Sequence, residues 1–429
     1  MRQLYSLLML LLTPVSLGYF ALRGLRDRRY WKHWGERLGV LSVKGPVEFH
    51  IHAASLGEVN AAGPLVNALL ERETAPNLLL TTFTPTGRQR ARELFGTRVQ
   101  LCYLPLDLPG IPSRFLRKLQ PAVIVIVETE IWPNFYAAAA RADIPLIISN
   151  ARLSQASLRA YRRCQRLIGP ALRSARQILA QSDADAQRYV QCGAEPSRVS
   201  NAGNLKFDIH VPASLLETGE LLRSAWGVQR PVLVAGSTHE DDELVLLKAF
   251  RRLLERHPEA LLVLAPRHPE RFARAEQLLQ EQELSVQRRS DSRLPGRDTQ
   301  CLLIDSMGEL LDYYAAADIT FVGGTIADIG GHNLLEPAAL AKPLLFGPHT
   351  AHVKEIATRL LESGAARRVL TARDVFAAVD QLFAHPATRD RMGQAGLCLL
   401  EEGRGALQKS VDAIGALSKD ARRTTNGPG

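Results

Sequence analysis

The run Val123-Ile-Val-Ile-Val127 carries no polar residue at any alternate position, so a strand formed there must be covered on both faces. Such strands belong to parallel sheets with helices above and below, and that excludes sandwiches and barrels with one wet face. Similar short apolar runs stand at 47–52, 78–82, 99–104, 146–149 and 178–181, each followed by a longer amphipathic stretch. The first half of the chain therefore reads as one doubly wound α/β domain.

Over residues 208–227 the pattern lapses around Pro212, and a second series then begins at 232–235, 261–265, 302–305, 319–322 and 344–346. A length of 429 residues with 46% hydrophobic content suits two domains better than one. The expected division is a membrane anchor at 1–22, a first Rossmann-like domain at 23–210 and a linker at 211–228. A second Rossmann-like domain follows at 229–418, with a flexible tail at 419–429. The last helical stretch, about 389–417, is counted with the second domain but is a candidate to pack back on the first. Two such domains are expected to turn their strand-end loops toward one cleft.

No charged residue stands between Leu4 and Leu22, a run that at ~1.5 Å per helical residue nearly matches the hydrocarbon thickness of a bilayer. Arg23, Arg26, Arg28, Arg29 and Lys32 follow it and only Arg2 precedes it, so the positive-inside rule puts the body in the cytoplasm. A cleaved signal peptide would place its basic residues first, which disfavours that alternative. A helix lying in the interface is the other reading of the same run. The five cysteines are scattered singly, as suits a reducing compartment, and no zinc spacing appears. A net charge of +9 fits a membrane surface or anionic substrates. Nucleic acid is not expected as a partner, because no stretch interleaves basic and aromatic residues and no nucleic-acid-binding signature is present.

The first strand runs into His52-Ala-Ala-Ser-Leu-Gly-Glu58. Glu58 there either caps a helix with Ser55 or takes a proton from an attacking sugar hydroxyl. The fourth strand runs into Glu128-Thr-Glu130-Ile-Trp-Pro-Asn134, two carboxylates before a helix opened by Pro133; solvated loop charge is the plainer reading. Lys206, in Gly203-Asn-Leu-Lys-Phe-Asp208, could meet a carboxylate or phosphate or simply face water. In the second half, Pro266, Arg267 and His268 follow a strand, and Ser306-Met307-Gly308-Glu309 follows the next; both segments are candidates for phosphate contact. The richest segment is Gly323-Gly-Thr-Ile-Ala-Asp-Ile-Gly-Gly-His-Asn-Leu-Leu-Glu-Pro337. Its glycines let backbone approach a phosphate, and Glu336 can bind ribose hydroxyls, with Asn333 as a simple cap in the plainer reading. It is not a Walker A loop, because Gly-Lys-Ser/Thr is missing.

Taken in order, these motifs resemble the Kdo transferases, which move 3-deoxy-D-manno-octulosonic acid (Kdo) from CMP-Kdo to the lipid A precursor. The likeness covers nearly the whole chain and rests on the motifs beginning at His52, Glu128, Gly203, Pro266 and Gly330. The resemblance implies a GT-B fold, metal-independent inverting transfer without a cofactor, and attachment to the cytoplasmic face of the inner membrane. It makes Glu58 the proton acceptor, with Glu128 and Lys206 assisting the transition state. It also implies CMP contacts from Pro266 and Arg267, from Met307, Gly308 and Glu309, and from Asn333, Leu334, Leu335 and Glu336; His268 is added as a neighbour. One segment departs from the pattern: after Gly347-Pro-His349 the chain reads Thr-Ala-His-Val-Lys354 where Asn and an aromatic residue are expected. The rival readings are a GT-B enzyme using a UDP-sugar, a sugar-nucleotide epimerase of similar architecture, and a non-catalytic nucleotide-binding protein at the membrane.

Overall fold

The computed structural model describes residues 1–72, 76–209, 211–291 and 293–425. The chain forms two compact units. The first holds residues 1–208 and takes up the chain again from Gly403, while the second runs from Ile209 to Glu402.

Seven strands build the sheet of the first unit: β1 (Phe49–His52), β2 (Leu78–Thr82), β3 (Gln100–Tyr103), β4 (Val123–Val127), β5 (Leu146–Ala151), β6 (Gln177–Ala180) and β7 (Val199–Asn201). All neighbours are parallel, in the order β3-β2-β1-β4-β5-β6-β7. Every residue of β4 is 0% exposed, as its unbroken apolar run requires. One apolar cluster lies on each face of the sheet, and the two take alternate residues of β4: Ile124 and Ile126 in one, Val123, Val125 and Val127 in the other.

The second unit repeats the plan with β8 (Val232–Thr238), β9 (Leu261–Pro266), β10 (Val286–Arg288), β11 (Cys301–Leu303), β12 (Ile319–Val322), β13 (Leu344–Phe346) and β14 (Ala366–Arg368). Their order is β10-β11-β9-β8-β12-β13-β14, again parallel throughout. The short edge strands β7, β10 and β14 have no counterpart in the apolar runs, because a three-residue edge strand such as Ala-Arg-Arg carries little buried surface.

Two segments differ from the expected boundaries. Residues 211–228, read as a linker, hold the helix Ala213–Trp226, which belongs to the second unit. Gly219 lets this helix approach closely, since a Cβ there would lie 2.6 Å from that of Ala315. Its last residue, Trp226, stacks on Tyr313 at 6.2 Å between ring centroids. The C-terminal helix Ala406–Thr425, counted with the second domain, lies on the first. Asp208 accepts the N–H groups of Gly405 and Leu407 at 2.7 Å each, Ser410 shares a hydrogen bond with Ser149 at 3.0 Å, and Ile414 is wholly buried in the core. This helix covers residues 419–425 of the expected tail; 426–429 lie outside the described residues.

The N-terminal helix spans Arg2–Arg26 and is long and apolar enough to cross a membrane. Phe20, on its body-facing side, is 5% exposed and packs with Leu106, Leu108, Phe83 and Ile111.

Candidate active site

Ligands of doubly wound sheets bind at the carboxyl ends of the strands, where the strand order reverses. In the first unit that reversal lies between β1 and β4, and the loops leaving these two strands carry Glu58 and the Glu128–Glu130 pair. Glu58 stands in the first turn of the helix Leu56–Leu70, with Ser55 as its N-cap. Ser55 Oγ accepts the Glu58 N–H at 3.4 Å and donates to Glu58 Oε1 at 3.1 Å, while Oε2 accepts the N–H of Ala54 at 2.6 Å. The capping and the functional reading therefore concern one carboxylate in one place, oriented by its own loop. Burial pushes the Glu58 carboxyl up to about 7 against the pull of the Ala54 N–H, and the negative charges of Glu130 and Glu128 raise it further. A group so placed changes protonation near neutral pH, as a general base should.

Glu128 sits in the left-handed region at φ 65°, a conformation that costs a non-glycine residue of order 1–3 kcal/mol. Its neighbours hold it there. The Glu128 N–H donates to Ser149 O at 3.0 Å, the Tyr189 hydroxyl donates to Glu128 O at 3.1 Å, and the Tyr136 hydroxyl donates to Glu130 O at 2.9 Å. Burial raises the Glu130 carboxyl above its ordinary range, with the Trp132 indole opposing the rise. Beyond Pro133, buried Asp107 accepts the N–H groups of Asn134 at 2.8 Å and Phe135 at 2.7 Å and so fixes the start of the following helix.

Lys206 lies on a 3₁₀ turn, Leu205–Phe207, that packs against the helix of Glu58. A chain of amides sets this turn. Gln181 donates to Asn150 O, Asn204 donates to Gln181 Oε1, and Asn204 Oδ1 accepts the Lys206 N–H, each at 3.0 Å. Asn150 Oδ1, on a residue at φ 55°, accepts the Leu205 N–H at 3.0 Å. The fold thus gathers Glu58, Glu128 and Lys206 onto adjoining segments of the first unit.

In the second unit the reversal falls between β8 and β12, and the loop after β12 is the glycine-rich segment. Gly324, Gly330 and Gly331 take φ of 67°, 100° and 87°, values open to glycine at little cost. At Gly323 a Cβ would stand 2.4 Å from Ser237 O, so only glycine allows this loop to pass the end of β8. The loop is held by Asp242, wholly buried in the first turn of the helix Glu240–Leu254. Its carboxylate accepts four backbone N–H groups: His239 at 3.0 Å, Gly324 at 2.7 Å, Ile326 at 2.9 Å and Ala327 at 3.1 Å.

Three histidines line this point. The rings of His239 and His332 are nearly coplanar, at 8°, with Nε2 to Nε2 at 3.0 Å and centroids at 5.3 Å, which is an edge-to-edge N–H···N bond. One ring donates and the other accepts, so the pair holds a single proton between the two nitrogens. Burial first, then the charge of Arg267, pushes His332 down to about 4. His268 meets His239 edge-on at 5.6 Å between centroids. Glu336 is raised by burial and countered by the Asn333 amide, which donates to it at 3.1 Å, and by the Arg267 charge. Arg267, His268, Asn333 and Glu336 therefore form one polar group.

Met307, Gly308 and Glu309 stand on the same rim, beyond β11. There Met307 is exposed, while Glu309 accepts the Ser306 hydroxyl at 2.7 Å and pairs with Arg289 at 3.2 Å. The segment that departs from the family pattern packs on the glycine-rich loop, where the His352 N–H donates to Gly330 O at 2.9 Å; just before it, the Gly347 N–H donates to Thr325 Oγ1 at 2.8 Å and His349 pairs with Asp328 at 3.1 Å. Asp107, Asn150, Gln181, His239 and Asp242 were not singled out by sequence reasoning. Among the described residues no group of three or more His, Cys, Asp or Glu side chains is arranged to hold a metal ion.

A family model for 3-deoxy-D-manno-octulosonic-acid transferase (kdotransferase) matches residues 32–209. A 3-deoxy-D-manno-octulosonic acid transferase of Haemophilus influenzae is 38% identical over 417 residues, 96% of this chain and 98% of that protein. The chain belongs to the Kdo transferase family. A Bordetella pertussis member is 37% identical and covers 96% of this chain and 98% of its own length. As a Kdo transferase the protein is a glycosyltransferase, and its paired seven-stranded parallel sheets follow the GT-B plan. A solved glycosyltransferase from Rickettsia africae shares that fold with a TM-score of 0.52 at 12% identity, covering 87% of this chain and 99% of its own.

Proposed function

We propose that this Kdo transferase moves Kdo from CMP-Kdo to a hydroxyl of the lipid A precursor, lipid IV-A, with inversion and without a metal ion. The observation that carries the reading is Glu58, a half-buried carboxylate raised to about 7 and held by the Ala54 N–H at the strand-order reversal of the first unit. A sugar hydroxyl is a poor nucleophile, so a base must take its proton as it attacks. Attack on the face opposite the departing CMP inverts the anomeric centre. Lys206 and Glu128 are the neighbours proposed to steady the charge that develops in the transition state.

CMP leaves as a stable phosphate anion and needs charge stabilisation more than a proton. Arg267 supplies a guanidinium for the phosphate, and Glu336, held by Asn333, an acceptor for ribose hydroxyls. Backbone of Met307, Gly308 and Glu309 and of Leu334 and Leu335 completes the proposed nucleotide contacts, with Pro266 shaping the turn and His268 beside Arg267. Arg267→Ala should raise KM for CMP-Kdo by about 10- to 100-fold, the loss of one charge-assisted hydrogen bond, and leave KM for the acceptor unchanged. Steady-state kinetics with each substrate varied separately read this.

The acceptor is a lipid, and the apolar N-terminal helix with the basic residues after it supports a place at the inner membrane, with the body on the side of the anionic cytoplasmic leaflet. The test is transfer from CMP-Kdo to lipid IV-A by the purified chain in the presence of a chelator, with the product's anomeric configuration read by NMR. An inverted Kdo linkage formed at undiminished rate supports the reading. Absence of product, retention, or arrest by the chelator defeats it.

A further inference from the structure

Hydropathy treats the helix Arg2–Arg26 as a rod that crosses a bilayer, but its pattern of contact with the first unit describes another arrangement. The residues with reduced exposure are Tyr5, Ser6, Met9, Thr13, Ser16, Leu17, Phe20, Ala21 and Gly24, which recur every three to four positions from one end to the other. One face of the helix therefore lies on the body along its whole length, and the helix's serine and threonine side chains, Ser6, Thr13 and Ser16, are on that face. The opposite face, including Leu4, Leu8, Leu11, Val15 and Leu22, is bare and apolar.

Contacts near both ends fix the helix. Near its start Ser6 donates to Asn134 at 3.0 Å, and Asn134 is itself held by Asp107. Further along, Phe20 is clamped by the guanidinium of buried Arg37 at 4.3 Å, which also lies 4.1 Å from the Tyr103 ring. Ser6 and Phe20 are fourteen residues apart, roughly 21 Å along a helix at ~1.5 Å per residue. A perpendicular span would carry Ser6 that far into hydrocarbon and take the Asn134–Asp107 pair with it or break the contact.

The start of the helix also shares a groove with the body. Two adjoining cavities of about 360 and 340 Å³ have Arg2 and Arg141 in common. Arg166 lines one of them, and neither has an Asp or Glu in its wall. Leu7, Leu10 and Leu167 supply apolar wall beside the three arginines. The groove thus combines positive charge with apolar surface, as a lipid phosphate above its acyl chains requires.

We infer that the N-terminal helix lies in the plane of the membrane rather than across it, with its bare face in the acyl region and the Arg2–Arg141–Arg166 groove on an anionic phospholipid headgroup. Arg2 then stays on the same side of the bilayer as the body. This inference does not depend on the transfer reaction.

Two measurements test it on the full chain. Gln3→Cys, reacted in intact cells with a membrane-impermeant maleimide, should behave as the exposed native Cys164 and Cys398 do, while all three label in detergent. Labelling of Gln3→Cys from the face opposite to Cys164 overturns the in-plane arrangement. Binding to phosphatidylcholine vesicles should strengthen when phosphatidylglycerol is added, and the combined Arg2, Arg141 and Arg166→Gln variant should lose on the order of tenfold or more of that gain. A variant that keeps the full gain overturns the headgroup site. If the three changes abolish binding of inorganic phosphate yet leave the vesicle preference intact, the groove takes a soluble phosphate and the lipid assignment fails.

Discussion

Glu58→Gln should lower kcat for Kdo transfer by roughly a hundredfold or more, the usual contribution of a positioned general base, with little change in KM for either substrate. Gln keeps the shape and can still accept the Ala54 N–H, so the cap survives while proton acceptance is lost. The pH profile gives a second readout. Because the Glu58 carboxyl is raised to about 7, wild-type activity should fall about tenfold per pH unit below that value, where the base is protonated. Stability runs the other way. With the folded value raised above the ordinary 4.5, the fold is favoured when Glu58 is protonated, so stability falls as pH rises from about 4.5 to about 7 and then levels off. Glu58→Gln removes that loss and should melt no lower than wild type at pH 8. A variant equally active as wild type would leave Glu58 as a helix cap; one that is inactive only because it melts early would count against a base.

The same residue shows why the site was only partly legible in the sequence. Ser55-x-x-Glu58 by its spacing favours a cap over a base, and the carboxylate proves to be hydrogen-bonded as a cap while shifted as a base would be. Spacing sees the cap. The shift comes from burial and from Glu128 and Glu130, which stand some seventy residues later and join the site only because β4 pairs with β1. The central strands were plain for the opposite reason, since a strand buried on both faces must be apolar throughout, as Val123–Val127 is. The helix Ala213–Trp226 was missed because Pro212 and the lack of strand signals suggest a linker, whereas its place depends on a distant partner, Ala315 against Gly219. For the N-terminal helix, hydropathy reported how apolar it is, but the face that docks on the body emerges only once Asn134 and Arg37 are in position.

Asp242→Asn should raise KM for the sugar nucleotide by about tenfold or more while KM for the acceptor stays near wild type. The expectation follows from the hydrogen bonds. Oδ2 holds His239 and Gly324, and Oδ1 holds Ile326 and Ala327, so one side chain ties the start of its own helix to a loop more than eighty residues away. Asn retains a single acceptor oxygen, and its amide would point at two N–H donors. At about 1–3 kcal/mol for each buried N–H left without a partner, the two orphaned groups should cost on the order of 2–6 kcal/mol of stability, read as a lower denaturant midpoint. Asp241→Asn removes the same charge from the same helix turn but from an exposed side chain, so it controls for helix electrostatics. Asp242 acts through the loop and is a positioning residue, which the kinetics can separate from general destabilisation. At a temperature where the variant is fully folded, a loosened loop changes KM for the donor, and the CMP affinity measured by calorimetry should fall in parallel. If the variant is less stable but binds CMP and turns over as wild type does, the carboxylate only staples the fold, and the loop keeps its shape through Gly323, Gly347 and Thr325 alone.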